Sequence, residues 1–472
     1  MAQSADIVWE VRQAGGANNG GGFKYGASGT DYSQQSSAQY ALTGLTSAGA
    51  GAVILSASAA SDMVGNVIRI VSGTNFTAGW YEITSVSAGV SITVDRNCTT
   101  GVGATGVGNI GGALNSLNTL VSAFGTIGQR AWMMADSGYA PTATPTFTLD
   151  GTPSNTVKYS RITGYGSTRG DGGRPTITLT TNSNLKGVEC TGGGWSIENL
   201  IINCNSLSGS RGVSHTGQYS RTVNCKISNY RDYGIVAGVY YNAVLNCEIT
   251  GGTTGATAGI LFNAGNSHVC YGNYVHDNAV GHGISSSGGG CVAFNVVANN
   301  TQSGVANGMN LSLYGLGVFN NTVYGNGLNG IYISSSSQIP SIVKGNLVAN
   351  HTNGSGSGIK FNASGAIAAS PFIDGNAYYN NTANRTNGDG TSGNNASGAY
   401  TNTYDVAITD GSPFVNAGSS DFRLNGTPLR GALLRGTAQL GMHPGLSPQT
   451  NYLDFGALQS PPSGSRSQTV NA

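Results

Sequence analysis

The sequence predicts an all-β solenoid, on three observations. First, one motif recurs along the middle of the chain. A position filled by Asn or Cys falls at Asn199, Cys225, Cys247, Asn273, Asn295, Asn321, Asn346 and Asn376, in steps of 22 to 30 residues, and a near-constant period of that size marks stacked repeats. Second, two registers travel with it. Two residues on stand Ile201, Ile227, Ile249, Val275, Val297, Val323, Val348 and Tyr378; four residues on stand Asn203, Asn229, Gly251, Asp277, Asn299, Gly325, Asn350 and Asn380. Third, Gly supplies 75 of 472 residues and Asn 47, while only 9% are charged. Helical bundles and coiled coils need Glu, Lys, Leu and Ala in bulk, so that composition excludes them.

The elements follow in chain order. Residues 1–110 carry period-two alternation at 63–70, 81–86 and 91–95, which predicts a small antiparallel β unit. Residues 109–117 are expected to open a short helix over the first coil, because an uncovered solenoid end would offer its strand edges to other chains. Irregular early rungs are expected at 131–134, 146–149, 159–162 and 175–179. From there to about residue 400 each 22–26-residue coil holds two or three short strands. The β-branched row points inward, and the Asn, Gly or Asp row accepts positive φ and makes a tight bend. A second motif, Gly followed by an apolar residue, recurs at Gly212-Val213, Gly234-Ile235, Gly259-Ile260, Gly283-Ile284, Gly308-Met309, Gly330-Ile331 and Gly358-Ile359. Coils stacked about 4.8 Å apart set like above like, so inward Asn amides can donate and accept from coil to coil. Cys225 and Cys247 share that column, as stacked buried thiols or as a bridged pair. Residues 383–400 form a polar loop; residues 401–460, with 420–424 and 452–459, resemble the C-terminal closing coils of β-helix proteins; and 461–472 form a flexible tail.

Over roughly residues 130–400 these registers resemble the right-handed parallel β-helix, the pectate-lyase-like superfold. The resemblance implies the fold; because that fold hosts lyases, hydrolases, adhesins and virus spikes, it implies no single activity. Segments 29–35 (Gly-Thr-Asp-Tyr-Ser-Gln-Gln) and 76–81 (Phe-Thr-Ala-Gly-Trp-Tyr) resemble N-terminal parts of β-helix proteins of tailed bacteriophages. That likeness implies a trimeric virion protein whose N-terminal region meets other virion proteins. The first ten residues lack a basic n-region and an apolar h-region, so no export signal is expected and synthesis in the host cytoplasm fits.

Charge and cysteine usage exclude other classes. Lys+Arg 21 against Asp+Glu 20 leaves a net +1, too little for nucleic acid. No run approaches the roughly 18 apolar residues of a membrane span. Seven cysteines without a CxxC pair predict neither a zinc site nor a full disulfide framework, and no cofactor or metal is expected.

Carboxylates in the solenoid are few: Glu189, Glu198, Asp232, Glu248, Asp277, Asp374 and Asp389 are nearly all of them. By register Glu248 lies beside Lys226 on the preceding coil, as an outward ion pair. His276, Asp277 and His282 form the densest polar group, with Asp277 on the bend row. Glu248, His276 and Asp277 are therefore the catalytic candidates, for acid/base work. Tyr274 and Tyr324 fall at outward offsets and are the glycan-binding candidates, since aromatic rings stack on sugars. Tyr230, Tyr233, Tyr240, Tyr241, Tyr271, Tyr314 and Tyr332 are further solenoid tyrosines. The row through Ile202, Ser228, Thr250, His276, Ala298, Tyr324 and Ala349 is apolar in places, as if a neighbouring subunit covered it.

The leading functional expectation is a virion surface spike, fibre or capsid decoration touching host surface polysaccharide. A polysaccharide lyase or glycosidase would need two carboxylates about 5–10 Å apart on one face or several oxygen ligands for Ca²⁺; the ladder register places no two carboxylates on one face, and the loops at 205–222, 252–258 and 383–398 are left to supply them across a subunit boundary. A bacterial surface adhesin is the third reading.

Overall fold

The computed structural model describes residues 4, 6–124, 129–141, 143–148, 160–180, 184–253, 255–279, 281–301, 307–312, 316–335, 342–354, 356–363, 372–373, 375–387 and 405–435. Two compact units emerge, Met1–Thr181 with Leu185–Asn203, and Cys204–Ala472 with Asn182–Asn184. Expected features at Leu149, Tyr159, Tyr314, Asp374, Asp389, most of the 383–400 loop, 452–459 and the tail lie outside the described residues.

In the first unit, strands Tyr40–Ser47, Val53–Leu55, Val67–Phe76, Gly79–Ser87, Ser91–Val94 and Thr99–Ile110 close an antiparallel barrel. Leu45, Ile54, Ile68, Ile83, Ile92 and Ile110 fill it, and closure leaves no free strand edge. The long last strand shifts register against both neighbours, the bulging by which a small barrel bends. The barrel is narrower than the β unit expected over 1–110. Ile7–Val11 pairs in parallel with Arg130–Met134, which continues to Ser160–Tyr165 and Trp195–Glu198. A seven-residue helix, Leu117–Ala123, follows, its first turn capped by Ser116 Oγ accepting from Thr119 N at 3.1 Å. Just past it, Phe124 packs edge-on against Phe147 and Trp195. Glu10 is fully buried, and its carboxylate accepts from Arg12 and Arg169 and from the Tyr165 hydroxyl; partners on both oxygens are what let a buried charge persist.

The second unit is a β-solenoid of about seven turns with three parallel sheets. Sheet I contains Arg221–Val223, Ala243–Leu245, His268–Tyr271, Gly290–Ala293, Leu316–Phe319, Ile342–Lys344 and Phe372–Ile373. Sheet II runs from Arg211–His215 through Tyr233–Ala237, Ala258–Phe262, His282–Ser286, Met309–Ser312, Ile331–Ser335 and Ser357–Ala363 to Ala383–Asn387. Sheet III runs from Lys226–Ser228 through Glu248–Thr250, Tyr274–His276, Val296–Ala298, Thr322–Tyr324, Leu347–Ala349 and Ala377–Tyr379 to Val406–Ile408. Each coil visits II, I and III in turn.

The inward column of sheet III is Ile227, Ile249, Val275, Val297, Val323, Val348 and Tyr378, all buried. It presses against the Gly column of sheet II. A Cβ on Gly283 would sit 2.4 Å from Val297 Cγ1 and 2.6 Å from the Gly308 carbonyl; one on Gly330 would sit 2.3 Å from Val348 Cγ1. Glycine is required there by close approach, which is the physical content of the Gly–apolar motif. The bend row is left-handed at Asn229, Gly251, Asp277, Asn299, Gly325, Asn350 and Asn380.

An amide ladder runs beside this column. Nδ2 of Asn273 donates to Asn295 Oδ1 at 2.9 Å, and the same bond links Asn295 to Asn321, Asn321 to Asn346 and Asn346 to Asn376 at 2.9–3.0 Å. Each Nδ2 also donates to a backbone carbonyl one coil back: Val244, Cys270, Val292, Val318 and Val343. The Asn-to-Asn bonds all run toward the C-terminal end, where Asp405 Oδ1 accepts from Asn376 N at 2.8 Å. Cys247 Sγ lies 3.6 Å from the Thr222 carbonyl, the thiol counterpart of the Asn–carbonyl bond, and Cys225 and Cys247 are unbridged. The first assigned member of the row is displaced by one. Asn199 has φ 55°, as Asn224 and Asn246 do at the residue before the ladder, and buried Leu200 stands where a ladder residue would. Ile202 rather than Ile201 is the buried strand residue there, and Asn203 ends its strand instead of making the bend.

Asn321 makes four kinds of ladder bond with buried partners, so Asn321→Ala is expected to lower stability by about 3 kcal/mol or more, since each orphaned buried group costs about 1–3 kcal/mol. Asn380→Ala, at an exposed bend, is expected to cost about 1 kcal/mol for its left-handed φ. Thermal unfolding of the two variants checks the order; equal losses would mean that the ladder adds nothing beyond a bend residue.

Candidate functional site

The outward face of sheet III changes character along the stack. Lys226, Glu248 and Tyr274 are register neighbours on successive strands, with Thr250 and His276 in the next column. Lys226 Nζ reaches Glu248 Oε1 at 2.8 Å. His276 Nδ1 lies 2.8 Å from Asp277 Oδ2, which makes that nitrogen the donor, and its Nε2 is 3.5 Å from Glu248 Oε1, a charge contact too long for a full hydrogen bond. Tyr274 stacks on His276 with ring centroids 3.8 Å apart and 17° between planes. The catalytic candidates Glu248, His276 and Asp277 are thus brought together, with Lys226, in one line of polar groups. His276 and then Lys226 hold the Glu248 carboxyl down to about 2 against the opposing effect of burial. A carboxylate held ionised in this way has no proton to give near neutral pH.

Further along, the same face turns apolar, and the chain covers it with its own C-terminal segment. Strands Phe414–Asn416 and Asp421–Leu424 form an antiparallel hairpin, followed by a short helix at Gly431–Leu434. Phe414, Phe422, Leu424 and Leu434 form one buried cluster with Val296, Ala298, Leu347, Ala349, Ala377 and Ile408. Tyr324 packs 5.6 Å from Phe414 and 5.2 Å from Phe422, ring centre to ring centre. Tyr274 lies at the edge of the cluster, packed against it. This corrects three expectations. Tyr324 and Tyr274 are packing residues under the hairpin rather than a glycan face, because their outward row is apolar and the nearest apolar partner is in the same chain. The cover on that row is the 414–424 hairpin rather than a neighbouring subunit, and 420–424 belongs to this hairpin rather than to a closing coil.

The sequence reading passed over three features. A second ladder flanks the sheet III column: Asn278 Nδ2 donates to Asn300 Oδ1 at 2.6 Å, Asn300 to Asn326 at 2.8 Å, Asn326 to His351 Nε2 at 3.3 Å, and His351 Nδ1 donates to Asn381 Oδ1 at 3.1 Å. Its members lie five residues beyond the first ladder, a spacing present in the sequence. The polarity of the ladder fixes His351 as the neutral Nδ1–H tautomer, since a proton on Nε2 would face an amide donor. The second feature is the apolar outward face of sheet I, on which Val269 and Ile342 stand exposed among the described residues. The third is the corner between sheets II and I, where the Tyr219 and Tyr241 rings stack 4.8 Å apart at 2° and Tyr240 stands 6.2 Å from Tyr241. Tyr219 and Tyr241 are 22 residues apart, one coil step, which is the signal that could have paired them. Among the described residues no group of three or more His, Cys, Asp or Glu is placed to hold a metal ion, and no helix is long and apolar enough to cross a membrane.

No family model and no curated protein matches the sequence. Among solved structures, the chain is similar to pectate lyase Pel9A, at 14% identity over 73% of this chain and 91% of that one, TM-score 0.47. It is also similar to the Dettilon tailspike protein gp208, at 15% identity over 60% and 62%, TM-score 0.36. A third is the catalytic unit of a GH87 α-1,3-glucanase from Streptomyces thermodiastaticus strain HF3-3, at 13% identity over 78% and 86%, TM-score 0.32. The fold is the parallel β-helix that the repeat predicts, a scaffold that by itself assigns no chemistry.

Two predictions follow from the packing. Phe422→Ala is expected to loosen the hairpin, so that amides of 414–424 exchange with solvent at least tenfold faster while those of sheet III stay protected; unchanged exchange in the hairpin would refute the cover. His215 and His351 are fully buried, and burial pulls both down to about 4. The unfolded chain takes up these protons near pH 6.5, so it binds more protons than the folded chain between pH 6.5 and 4. Stability therefore falls as pH drops through that window, by up to about 3 kcal/mol per histidine, and levels off below pH 4 with respect to these two groups. Glu248 acts in a separate, lower window, its contribution present above about pH 4.5 and lost toward pH 2. His351→Asn keeps an amide in the ladder and is expected to shrink the pH 7 to pH 4.5 drop in melting temperature, the remainder belonging to His215, His268 and His282, which burial also pulls down.

Proposed function

We propose that the protein is a bacteriophage virion surface protein, a spike, fibre or capsid decoration, that assembles as a homotrimer and contacts host surface polysaccharide. The observation that carries the reading is the outward face of sheet I. Leu245, Val269, Tyr271, Cys291, Phe319 and Ile342 project from it, and Val269 and Ile342 are 38% and 44% exposed. Phe294 stands at φ 57° where Asn224, Asn246, Gly272 and Asn320 fill the equivalent bend, and its ring lies 5.3 Å from Tyr271. An aromatic residue is thus held in a costly conformation to widen an apolar strip.

The occupant that fits this strip is a second copy of the chain. The face carries only Arg221 and Lys344 as charged residues among the described ones, so it offers nothing to a charged partner. Its ridges repeat once per coil, about 4.8 Å apart, and a copy related by an axis along the stack presents ridges of the same period at every level. The apolar face of sheet III shows how the chain closes such a surface when it is to be closed internally; sheet I receives no described segment. Three copies rather than two follow the resemblance to phage spikes, as does attachment to other virion proteins through the N-terminal barrel. Glu248, held ionised by His276 and Lys226, has no proton to give near neutral pH, which favours contact with polysaccharide over its cleavage by a general acid.

Native mass spectrometry of the full chain is expected to show a trimer. Val269→Lys combined with Ile342→Lys is expected to give folded monomers that keep the wild-type β circular-dichroism spectrum, and to make Cys291, on the same face, react with a maleimide. A wild-type monomer at micromolar concentration sinks the assembly. Copy counting by mass spectrometry of purified particles tests the location: hundreds of copies mean capsid decoration, a few to about twenty a spike or fibre, and absence from particles transfers the protein to the secreted-enzyme or adhesin readings.

A further inference from the structure

We infer that the corner between sheets II and I is a carbohydrate-binding shelf, in which Tyr219, Tyr240 and Tyr241 take pyranose rings by their C–H faces. This rests on the reading that the protein contacts polysaccharide and adds the place and the binding chemistry.

The shelf is built by two successive coils. Turn 216–220 and turn 238–242 lie one above the other, joined by Tyr219 N donating to the Tyr240 carbonyl at 3.4 Å. Tyr219, Tyr240 and Tyr241 are 37%, 44% and 48% exposed, so three large rings share one solvent-facing corner. Single exposed aromatics are ordinary, but a contiguous cluster marks an interaction site.

Backbone strain points the same way. Tyr219 has φ 57° and Tyr241 φ 60°. The left-handed region costs a residue with a bulky side chain roughly 1–2 kcal/mol, and Asn fills such corners cheaply at Asn224 and Asn246. Two consecutive coils hold a tyrosine where asparagine would be more stable, and strain of this kind clusters at functional positions.

The rings are also preorganised. Asn242 clamps the turn, its Nδ2 donating to the Val239 carbonyl at 2.8 Å and its Oδ1 accepting from Ser220 N at 2.8 Å. Tyr241 N donates to the Asn266 carbonyl at 3.2 Å. Gly265 lies against the Tyr240 ring, where a Cβ would come within 3.0 Å of Cδ1. Rings fixed before binding lose little entropy when a ligand arrives. Their hydroxyls remain available for sugar hydroxyls, and the next coil adds exposed Asn263, Asn266 and Ser267 beside them. No acidic residue occurs in turns 216–220, 238–242 or 263–267, so the corner has no general acid and is a binding site rather than a cleavage site.

The test uses the full-length protein on a microarray of purified bacterial capsular and O-antigen polysaccharides, with Tyr219→Asn, Tyr241→Asn and Tyr240→Ala. Wild type is expected to bind at least one polysaccharide, and each variant to lose binding at least tenfold. The two Asn variants are also expected to melt at or above the wild-type temperature, because asparagine relieves the left-handed strain. Wild-type binding that survives in all three variants overturns the shelf and leaves polysaccharide contact standing. Asn variants that melt well below wild type make the tyrosines packing residues and overturn the shelf as well. A wild-type protein that binds nothing on the array overturns the shelf together with the polysaccharide reading.

Discussion

The amide ladder is the interaction on which the rest of the solenoid depends. Each ladder Asn accepts from the residue before it in the column and donates both to the next Asn and to a carbonyl one coil back. A carboxamide is suited to this because one group carries two donors and two acceptor sites. The chain of bonds has a direction, so it needs an ending, and Asp405 supplies an acceptor without a donor. A coil that slipped by one residue would point its amide outward and leave two neighbours unsatisfied in a dry interior. The ladder therefore sets the coil register, and the register sets which residues appear on each outer face.

With the register fixed, the three sheets have different fates. Sheet II admits glycine on its inner column because the β-branched column of sheet III crosses close to it. The outer side of sheet III is closed within the chain, by a hairpin whose aromatic residues cover Val296, Ala298 and Leu347. The outer side of sheet I is left apolar and open at Val269 and Ile342. A monomer has little reason to keep such a strip, whereas an assembly of copies has one at every level of the stack.

The titratable groups divide by the same logic. His215 and His351 are interior residues kept neutral by burial, while Glu248 is an outer residue kept ionised by His276 and Lys226. The two histidines are therefore shielded from solvent, and Glu248 has no proton to give near neutral pH. What the surface offers instead is a set of rigid tyrosines, and stacking needs no titratable group.

The sequence by itself determined the solenoid, the coil length, the inward β-branched column from Ile227 onward and the left-handed bend row, because a stacked repeat forces equivalent positions to carry equivalent residues. It also placed Glu248 beside Lys226, since column neighbours follow from register alone. It misplaced Asn199 by one, because Asn also fills the left-handed position just before the ladder and the two uses look alike in a list of residues. Only the tertiary structure decided what covers an outward row. Tyr274 and Tyr324 read as exposed until a hairpin that begins 90 residues downstream of Tyr324 folds over them, and Tyr219 and Tyr241 read as ordinary until their turns are superposed. Period and register are local properties repeated along the chain, whereas burial of an outer face depends on a segment distant in sequence, whose apolar pattern does not say which surface it will meet.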